Sequence, residues 1–294
     1  MSKVWLITGG SRGLGLEIAK AALAAGHHVV ATARKPEQLR ELVEAHPAHA
    51  RAVALDVADP SAARAAVEAA VSAFGRIDVV VNNAGYANIS SIEDVTDEDF
   101  RAQLETNFFG VVNVTRAALP VLRKQRDGHI IQISSIGGRK GSPGLGAYQS
   151  AKWAVEGFSE VLFTEVRPLG IRVTIVEPGG FRTDWGGSSM RVDPIQPDYE
   201  QTVGAFRGHL RQNLDSVRGD PARGAQAIVK VAEMPEPPLR LLLGTDALFL
   251  AKVVAAERAA EDERWASLSA STDLEGLGDF ADTPVAKMLL AVRH

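Results

Sequence analysis

A glycine turn placed directly after a short apolar run limits this chain more than any other feature. Val4-Trp5-Leu6-Ile7 leads into Thr8-Gly9-Gly10-Ser11-Arg12-Gly13-Leu14-Gly15, and an alanine-rich amphipathic stretch, Leu14–Ala25, follows. Between a first strand and a helix, glycine lets backbone N–H groups and the helix N-terminus approach a phosphate that a Cβ would keep away. Gly9, Gly13 and Gly15 take those places, with Ser11, Arg12 and Leu14 between them. The spacing is Gly-x3-Gly-x-Gly, not the commoner Gly-x-Gly-x2-Gly. Alone it would suit an ordinary tight turn, and its place after the first strand favours the cradle.

The rest of the chain alternates in the same way. Apolar runs at Val4–Thr8, Val29–Ala33, Ala52–Leu55, Ile77–Val81, Ile130–Ile133, Val173–Val176 and Leu239–Leu243 are predicted strands. They are continuous rather than alternating in polarity, as strands covered on both faces by helices are. Helical stretches such as Ser61–Phe74 separate them. The βαβα order predicts an α/β fold, a doubly wound seven-stranded parallel sheet. One long helix is predicted through Phe100, Leu104, Phe108, Val111, Thr115, Ala118 and Leu122. Another follows Ala151, Val155, Phe158 and Leu162 and is ended by Pro168 and Gly170.

After Pro178 the periodicity fades, and a lid is expected over about 179–215, with a short helix around Tyr199–Leu214. The expected organisation is a single catalytic domain over 1–244 that includes this lid. A C-terminal extension over 245–294, helical to Leu268 and then a polar tail, would pack on the same domain.

Bulk properties exclude several functions. The 294 residues carry a net charge of −4, which gives no basic footprint for nucleic acid. No apolar run approaches the ~20 residues of a membrane span. The chain contains no cysteine, so disulfides and thiolate chemistry are excluded, and a cytoplasmic location is expected. The seven histidines show no metal-ligand spacing, and no metal is expected.

The end of the second strand bears on which cofactor the cradle would hold. An acid about 20 residues past the turn would bind a ribose 2′-hydroxyl, whereas arginine suits a 2′-phosphate. Here the run is Val29-Val30-Ala31-Thr32-Ala33-Arg34-Lys35, with no acid before Glu37. Arg34 and Arg12 therefore favour NADP(H) over NAD(H). Asp56-Val57 follows the third strand, where a carboxylate can accept from an adenine amino group or simply start a helix. Asn82-Asn83-Ala84-Gly85 closes the fourth strand, where small residues permit a ligand to approach or a chain to turn.

Tyr148 and Lys152 lie four residues apart, one helical turn, thirteen residues after Ser135. A phenol exchanges a proton near neutral pH only if its phenolate is stabilised, and an ammonium one turn away would do so. Ser135, at the end of the fifth strand, can hold a substrate oxygen. Asn107, a polar residue beside an apolar helical stripe, could carry a water linking Lys152 to solvent. Each pair arises by chance in many proteins, and their joint occurrence downstream of the cradle points to hydride transfer.

With these residues the chain resembles the short-chain dehydrogenase/reductase family over roughly residues 3 to 183. The family's glycine signature falls on Thr8 to Gly15, its adenine-site acid on Asp56 and its strand-four motif on Asn82 to Gly85, with Ala84 and Gly85 in the cofactor wall. Its Asn/Ser/Tyr/Lys tetrad falls on Asn107, Ser135, Tyr148 and Lys152. The motif after the sixth strand falls on Pro178-Gly179-Gly180-Phe181-Arg182-Thr183, where Thr183 would meet the nicotinamide carboxamide. The Thr32-Ala33-Arg34 run and the long C-terminal part resemble the NADP(H)-preferring subgroup around 17β-hydroxysteroid and retinol dehydrogenases.

The resemblance implies an NADP(H)-dependent oxidoreductase acting on a small-molecule carbonyl or secondary alcohol. Tyr148 would be the general acid/base, and Tyr148 and Lys152 would also contact the cofactor. It further implies a homodimer or homotetramer formed through the helices that carry Asn107 and Tyr148. The lid residues Trp185, Met190, Ile195 and Tyr199 suggest an apolar substrate, or else a local core for the short helix. Two alternatives stay open on the sequence: a dinucleotide-binding sensor without chemistry, and a reductase of carrier- or CoA-bound 3-oxoacyl thioesters.

Overall fold

Each apolar run becomes a strand, and each amphipathic stretch between them becomes a covering helix. The computed structural model describes residues 2–183, 190–212 and 216–291. In chain order the elements are β1 (Val4–Ile7), α1 (Gly13–Ala24), β2 (His28–Ala33), α2 (Arg40–Ala45), β3 (Ala50–Ala54), α3 (Pro60–Phe74) and β4 (Val79–Asn82). Then come α4 (Asp97–Leu104), α5 (Gly110–Gln125), β5 (Gly128–Ile133), α6 (Gly146–Val166) and β6 (Ile171–Pro178). The chain continues through α7 (Ala205–Gln212), α8 (Pro221–Glu233), β7 (Arg240–Leu243), α9 (Thr245–Ala270) and α10 (Pro284–Ala291).

The seven strands form one sheet in the order β3-β2-β1-β4-β5-β6-β7, every pair parallel. Strand order reverses between β1 and β4, and a crevice opens beyond the carboxyl ends of strands at such a point. The period-2 alternation of side chains sorts the core into two layers. Trp5, Ile7, Val29, Val79 and Ile131 pack with Ile18 and Ala22 of α1 and Ile228 of α8. Leu6, Val30, Val80 and Ile130 pack with Val67 of α3, Val114 and Leu122 of α5 and Leu162 of α6.

Helix starts follow local chemistry. Asp59 caps α3 by accepting from the Ser61 N–H at 2.7 Å, and Asp220 caps α8 by accepting from Ala222 at 2.8 Å. Thr96 caps α4 in the same way, accepting from Asp99 N–H. Helix α1 is different. No side chain caps it, and no acid stands in its first turn, so its N-terminal N–H groups are left for another acceptor.

Three expectations are corrected. The long helix predicted through Phe100 to Leu122 is interrupted by a π turn over Glu105–Phe109, in which Gly110 N–H reaches back to Glu105 O. Up to and within that turn the buried line is not the apolar stripe but the polar set Asp99, Gln103 and Asn107, four residues apart each time. Their partners, described below, are polar groups of neighbouring loops, which is why the polar face turns inward. The segment expected to be a polar tail contains helix α10 and a run of exposed apolar side chains, among them Leu274, Leu277, Phe280 and Met288.

The extension buries side chains chiefly in the first turns of α9, and farther along Arg258 reaches Arg139 O and the Trp153 ring. Helix α9 buries Ala247, Ala251 and Val254, and residues 255–282 are all exposed. Among the described residues, no helix is long and apolar enough to cross a membrane.

Candidate active site

The glycine turn is built for close approach. Gly9 and Gly13 have φ of +64° and +54°, a region that suits glycine. A Cβ on Gly15 would lie 2.3 Å from Gly9 O and 2.4 Å from Asn83 Nδ2. Asn83 holds the turn against the end of β4, its Nδ2 donating to Thr8 O at 3.0 Å and to Gly9 O at 3.1 Å. Thr8 Oγ1 accepts in return from the Asn83 and Ala84 N–H groups at 2.9 and 3.0 Å. The reading from sequence placed Thr8 and Asn83 in motifs without a role, because paired backbone locks leave no spacing signal.

The other expected cofactor residues surround this turn. Thr183 is brought to Gly13, where an added Cβ would meet the Thr183 side chain at 3.6 Å. Ser11 is half-buried and Arg12 exposed at the start of α1, and Arg34 is exposed beyond β2. The Leu14 side chain packs against the core layer under α8. Asp56 is exposed and accepts from Ala58 N–H at 3.0 Å, and Val57 is buried against Gly110. Phe181 is anchored by a bridge to Gly219, and its ring fills the space beside Gly224.

Pro178 ends β6, and Gly179 N–H reaches Leu243 O at 2.9 Å. Asp246, in the first turn of α9, accepts from Gly180 N–H at 2.7 Å and lies where any Gly179 side chain would go. That strut was missed because it joins the motif to a residue more than sixty positions away. Asn82 faces elsewhere. Its amide donates to Thr115 Oγ1 at 3.0 Å and Gln132 Oε1 at 2.8 Å beneath the sheet edge, so its side chain belongs to the core and not to the crevice.

The unpaired N–H groups of α1 and the cradle that a Cβ would fill fit the phosphates of a dinucleotide. The residues that would hold one are Gly9, Ser11, Arg12, Gly13 and Gly15 at the turn, with Gly85 and Thr183 in the walls.

The four residues expected to react, Asn107, Ser135, Tyr148 and Lys152, come together at the carboxyl ends of β4 and β5. Tyr148 is 6% exposed, and its hydroxyl hydrogen-bonds the Ser135 side chain. Ser135 Oγ also accepts from Gly137 N–H at 3.0 Å, which fixes its rotamer. Lys152 Nζ lies 5.6 Å from the Tyr148 ring centroid and donates to Ile133 O at 2.8 Å. A Cβ on Gly85 would fall 2.5 Å from Asn107 Oδ1 and 3.7 Å from Lys152 Nζ, so glycine is needed where these two side chains converge.

Two expectations change here. Burial pushes the Tyr148 phenol up to about 12, opposed by its hydrogen bond to Ser135, rather than down as the neighbouring ammonium suggested. Burial lowers Lys152 to about 8, opposed by the charge of Glu156. The Asn107 amide, expected to carry a water, is taken up by protein. It donates to Tyr86 O at 2.9 Å and Gln103 O at 2.8 Å, and its Oδ1 accepts from Tyr86 N–H at 3.1 Å. Its side chain therefore fixes the loop after β4 beside Lys152.

The described part of the segment expected to be a lid packs on this centre from the apolar side. Val192 bridges Ile89, and Met190, Val192, Ile195, Tyr199, Phe206 and Leu210 pack on a cluster that includes Ala87, Leu145 and Tyr148 itself. Trp185 lies outside the described residues. Buried Asp99 ties the lid down, accepting from Asn88 Nδ2 at 2.7 Å and Gln103 Nε2 at 2.9 Å and pairing with Arg191 at 3.2 Å.

Comparison with known proteins agrees with this geometry. The family profile described as short chain dehydrogenase matches residues 3–191. An oxidoreductase of Botryotinia fuckeliana, BOA17, is 54% identical over 270 residues, 92% of this chain and 98% of that protein. The crystal structure of a short-chain dehydrogenase from Streptomyces avermitilis superposes with a TM-score of 0.86 at 40% identity, covering 92% of this chain and 98% of that one. An alcohol dehydrogenase from Thermococcus sibiricus, complexed with 5-hydroxy-NADP, superposes with a TM-score of 0.68 at 26% identity over 83% of this chain and 96% of its own. The chain belongs to the short-chain dehydrogenase/reductase family of oxidoreductases.

Proposed function

We propose that the protein moves a hydride between NADP(H) and a carbonyl or secondary alcohol of an apolar small molecule, with Tyr148 as the proton donor and acceptor. The observation that carries this is the Tyr148 hydroxyl, hydrogen-bonded to Ser135 beside Lys152 and opening onto the apolar cluster under the lid. When bound, the nicotinamide supplies or accepts the hydride.

The chain's own residues do the rest. Ser135 Oγ orients the substrate oxygen toward the phenol. Tyr148, kept protonated at neutral pH by its burial, gives that oxygen its proton in reduction. Lys152 stands behind it as the charge that steadies the phenolate once the proton has gone. Asn107 holds the Tyr86 loop in place, and the lid excludes water. Arg12 and Arg34 support the choice of NADP(H), since both are exposed near the cradle and no acid lies between Val29 and Glu37. Val57 and Asp56 would flank the adenine.

Exposed Phe109, Trp153 and Val161 on the helices around Asn107 and Tyr148 support a homo-oligomer.

The test is NADPH oxidation against a panel of apolar ketones and aldehydes, with NADH in parallel. Turnover that depends on Tyr148 and prefers NADPH is the expected result. No turnover with any carbonyl, or a preference for NADH, would overturn the reading or its cofactor assignment respectively.

A further inference from the structure

Behind Lys152, on the side away from the substrate cluster, the fold buries a second set of charges that the chemistry above does not use. Glu156 lies one helical turn beyond Lys152 on α6 and is 7% exposed, and Glu177 of β6 is 0% exposed. Two acids side by side in the interior are unfavourable unless they share a proton or face cations. The cations are present. Arg240 of β7 reaches Glu156 at 3.2 Å, Glu177 at 3.3 Å and Glu160 of α6 at 2.7 Å. Arg139, in the turn after Ser135, grips Glu177 at 2.8 Å and is itself held by Arg258 of α9 through its carbonyl. The Ser134 hydroxyl, next to Ser135, and one oxygen each of Glu156 and Glu177 are buried without a geometric hydrogen-bond partner, and the charge of Glu177 raises the Glu156 acid.

We infer that Glu156 is a positioning residue of the reaction, a buried acid that shares a proton with Glu177 and, through its charge, sets how readily Lys152 remains an ammonium beside Tyr148. The inference rests on the assignment of Tyr148 and Lys152 as the proton-transfer pair.

The groups facing Glu156 decide the sign. Lys152 precedes it on α6, Glu160 follows it, Glu177 opposes it from β6, and Arg240 and Arg139 balance the set from β7 and the β5 turn. Burial and the Glu177 contact raise the Glu156 acid to about 7, while its charge is the influence that holds Lys152 up against burial. Both groups therefore change protonation near the pH at which a cytoplasmic reductase would work. When Glu156 loses its proton, Lys152 keeps its own more firmly. Since Lys152 must be charged to steady the phenolate, the alkaline limb of the pH–rate profile reads the state of Glu156.

The experiment records kcat and kcat/KM against pH for the wild type, Glu156→Gln and Glu177→Gln. NADPH affinity is measured by fluorescence, and folding by circular dichroism. Glutamine mimics the protonated acid in shape and keeps its contact with Arg240. Glu156→Gln should move the alkaline limb to lower pH by about one unit and leave NADPH affinity within about twofold. Glu177→Gln removes the like charge and leaves Glu156 ionised beside Lys152 at the limb, so it should move the limb clearly less than Glu156→Gln does. A folded Glu156→Gln protein with an unchanged limb overturns the proposal. So does a folded Glu177→Gln protein whose limb moves as far to lower pH as that of Glu156→Gln.

A variant-free arm is carboxyl ¹³C NMR of wild-type protein labelled at glutamate. It should show one carboxyl titrating near neutrality, and the absence of any such signal overturns the proposal even if neither variant folds. Tyr148→Phe run alongside separates the two levels. A variant that still turns over sinks the redox assignment itself, whereas an inactive Tyr148→Phe with an unmoved Glu156→Gln profile sinks only the role of Glu156.

Discussion

Both ends of the sheet bury ionisable groups, and they do so to opposite effect. At the amino end, Asp78 accepts from Val4 N–H at 2.8 Å and pairs with Arg76, while His129 contacts Thr174 Oγ1 at 2.9 Å. Burial lowers His129 to about 3, so it stays neutral at any pH the protein meets in a cell. At the carboxyl end, burial brings Lys152 to about 8 and Glu156 to about 7, and it leaves Tyr148 protonated. The size of a perturbation thus says little about function, since His129 is among the strongly shifted groups and takes no part in chemistry. Where the shifted value comes to rest says more. A pair poised near neutrality can change state with pH, whereas His129, pushed far from neutrality at the other end of the sheet from Tyr148, holds one state.

The largest expected effect separates the two ends outright. Tyr148→Phe should lower kcat by roughly 10²–10⁴-fold while NADPH binding and thermal stability stay near native. A variant within tenfold of wild type would remove the distinction, because the carboxyl end would then hold buried polar groups for packing alone.

The next test titrates both ends in one experiment. His129 has a folded value near 3 against 6.5 in the unfolded chain, so between those limits unfolding takes up a proton and stability falls as pH drops. Glu156 has a folded value near 7 against 4.5, so it contributes stability that is present below 4.5 and is lost as pH rises through 7. The two slopes oppose each other between 4.5 and 6.5. Replacing His129 with Gln should unmask the second, a gain of about 1 kcal/mol per pH unit on acidification across that window. Urea melts at several pH values measure it, and a flat profile in the variant would show that Glu156 does not hold its proton in the folded state.

Two smaller effects sharpen the cofactor side. Gly15→Ala forces a methyl against the Gly9 carbonyl and should cost about 1–3 kcal/mol of stability, together with most of the NADPH affinity. Melting temperature and fluorescence titration together test it, and native affinity at native stability would mean that the turn is not the cradle. Arg34→Ala should weaken NADPH by about tenfold and leave NADH almost unchanged, on the scale of one charge-assisted hydrogen bond. Equal loss for both cofactors would mean that Arg34 does not face a 2′-phosphate.

What the sequence made legible follows the same division. All seven strands, the glycine turn and the proximity of Ser135, Tyr148 and Lys152 could be read because each depends on near neighbours in the chain: an apolar run, a φ that only glycine adopts easily, one helical turn. The polar line Asp99, Gln103 and Asn107 could not, because its partners Asn88, Tyr86 and Arg191 come from a loop and the lid, and a helix that turns a polar face inward breaks the rule by which faces are assigned. The π turn escaped for the same reason. Asn82 was placed in the crevice by its motif, whereas Thr115 and Gln132 draw it into the core. Glu156 and Glu177 carry no signal in the sequence, because their burial depends on the packing of α6 against β6 and β7.

The contact between Asp246 and Gly180 has a practical consequence for anyone shortening this protein. The sheet is complete at Leu243, and a trimmed clone stopping at Gly244 would look like a natural minimal enzyme. Such a truncation would cut away the carboxylate that braces the peptide leading to Thr183, and the damage would surface as a slack grip on the cofactor instead of a collapsed fold.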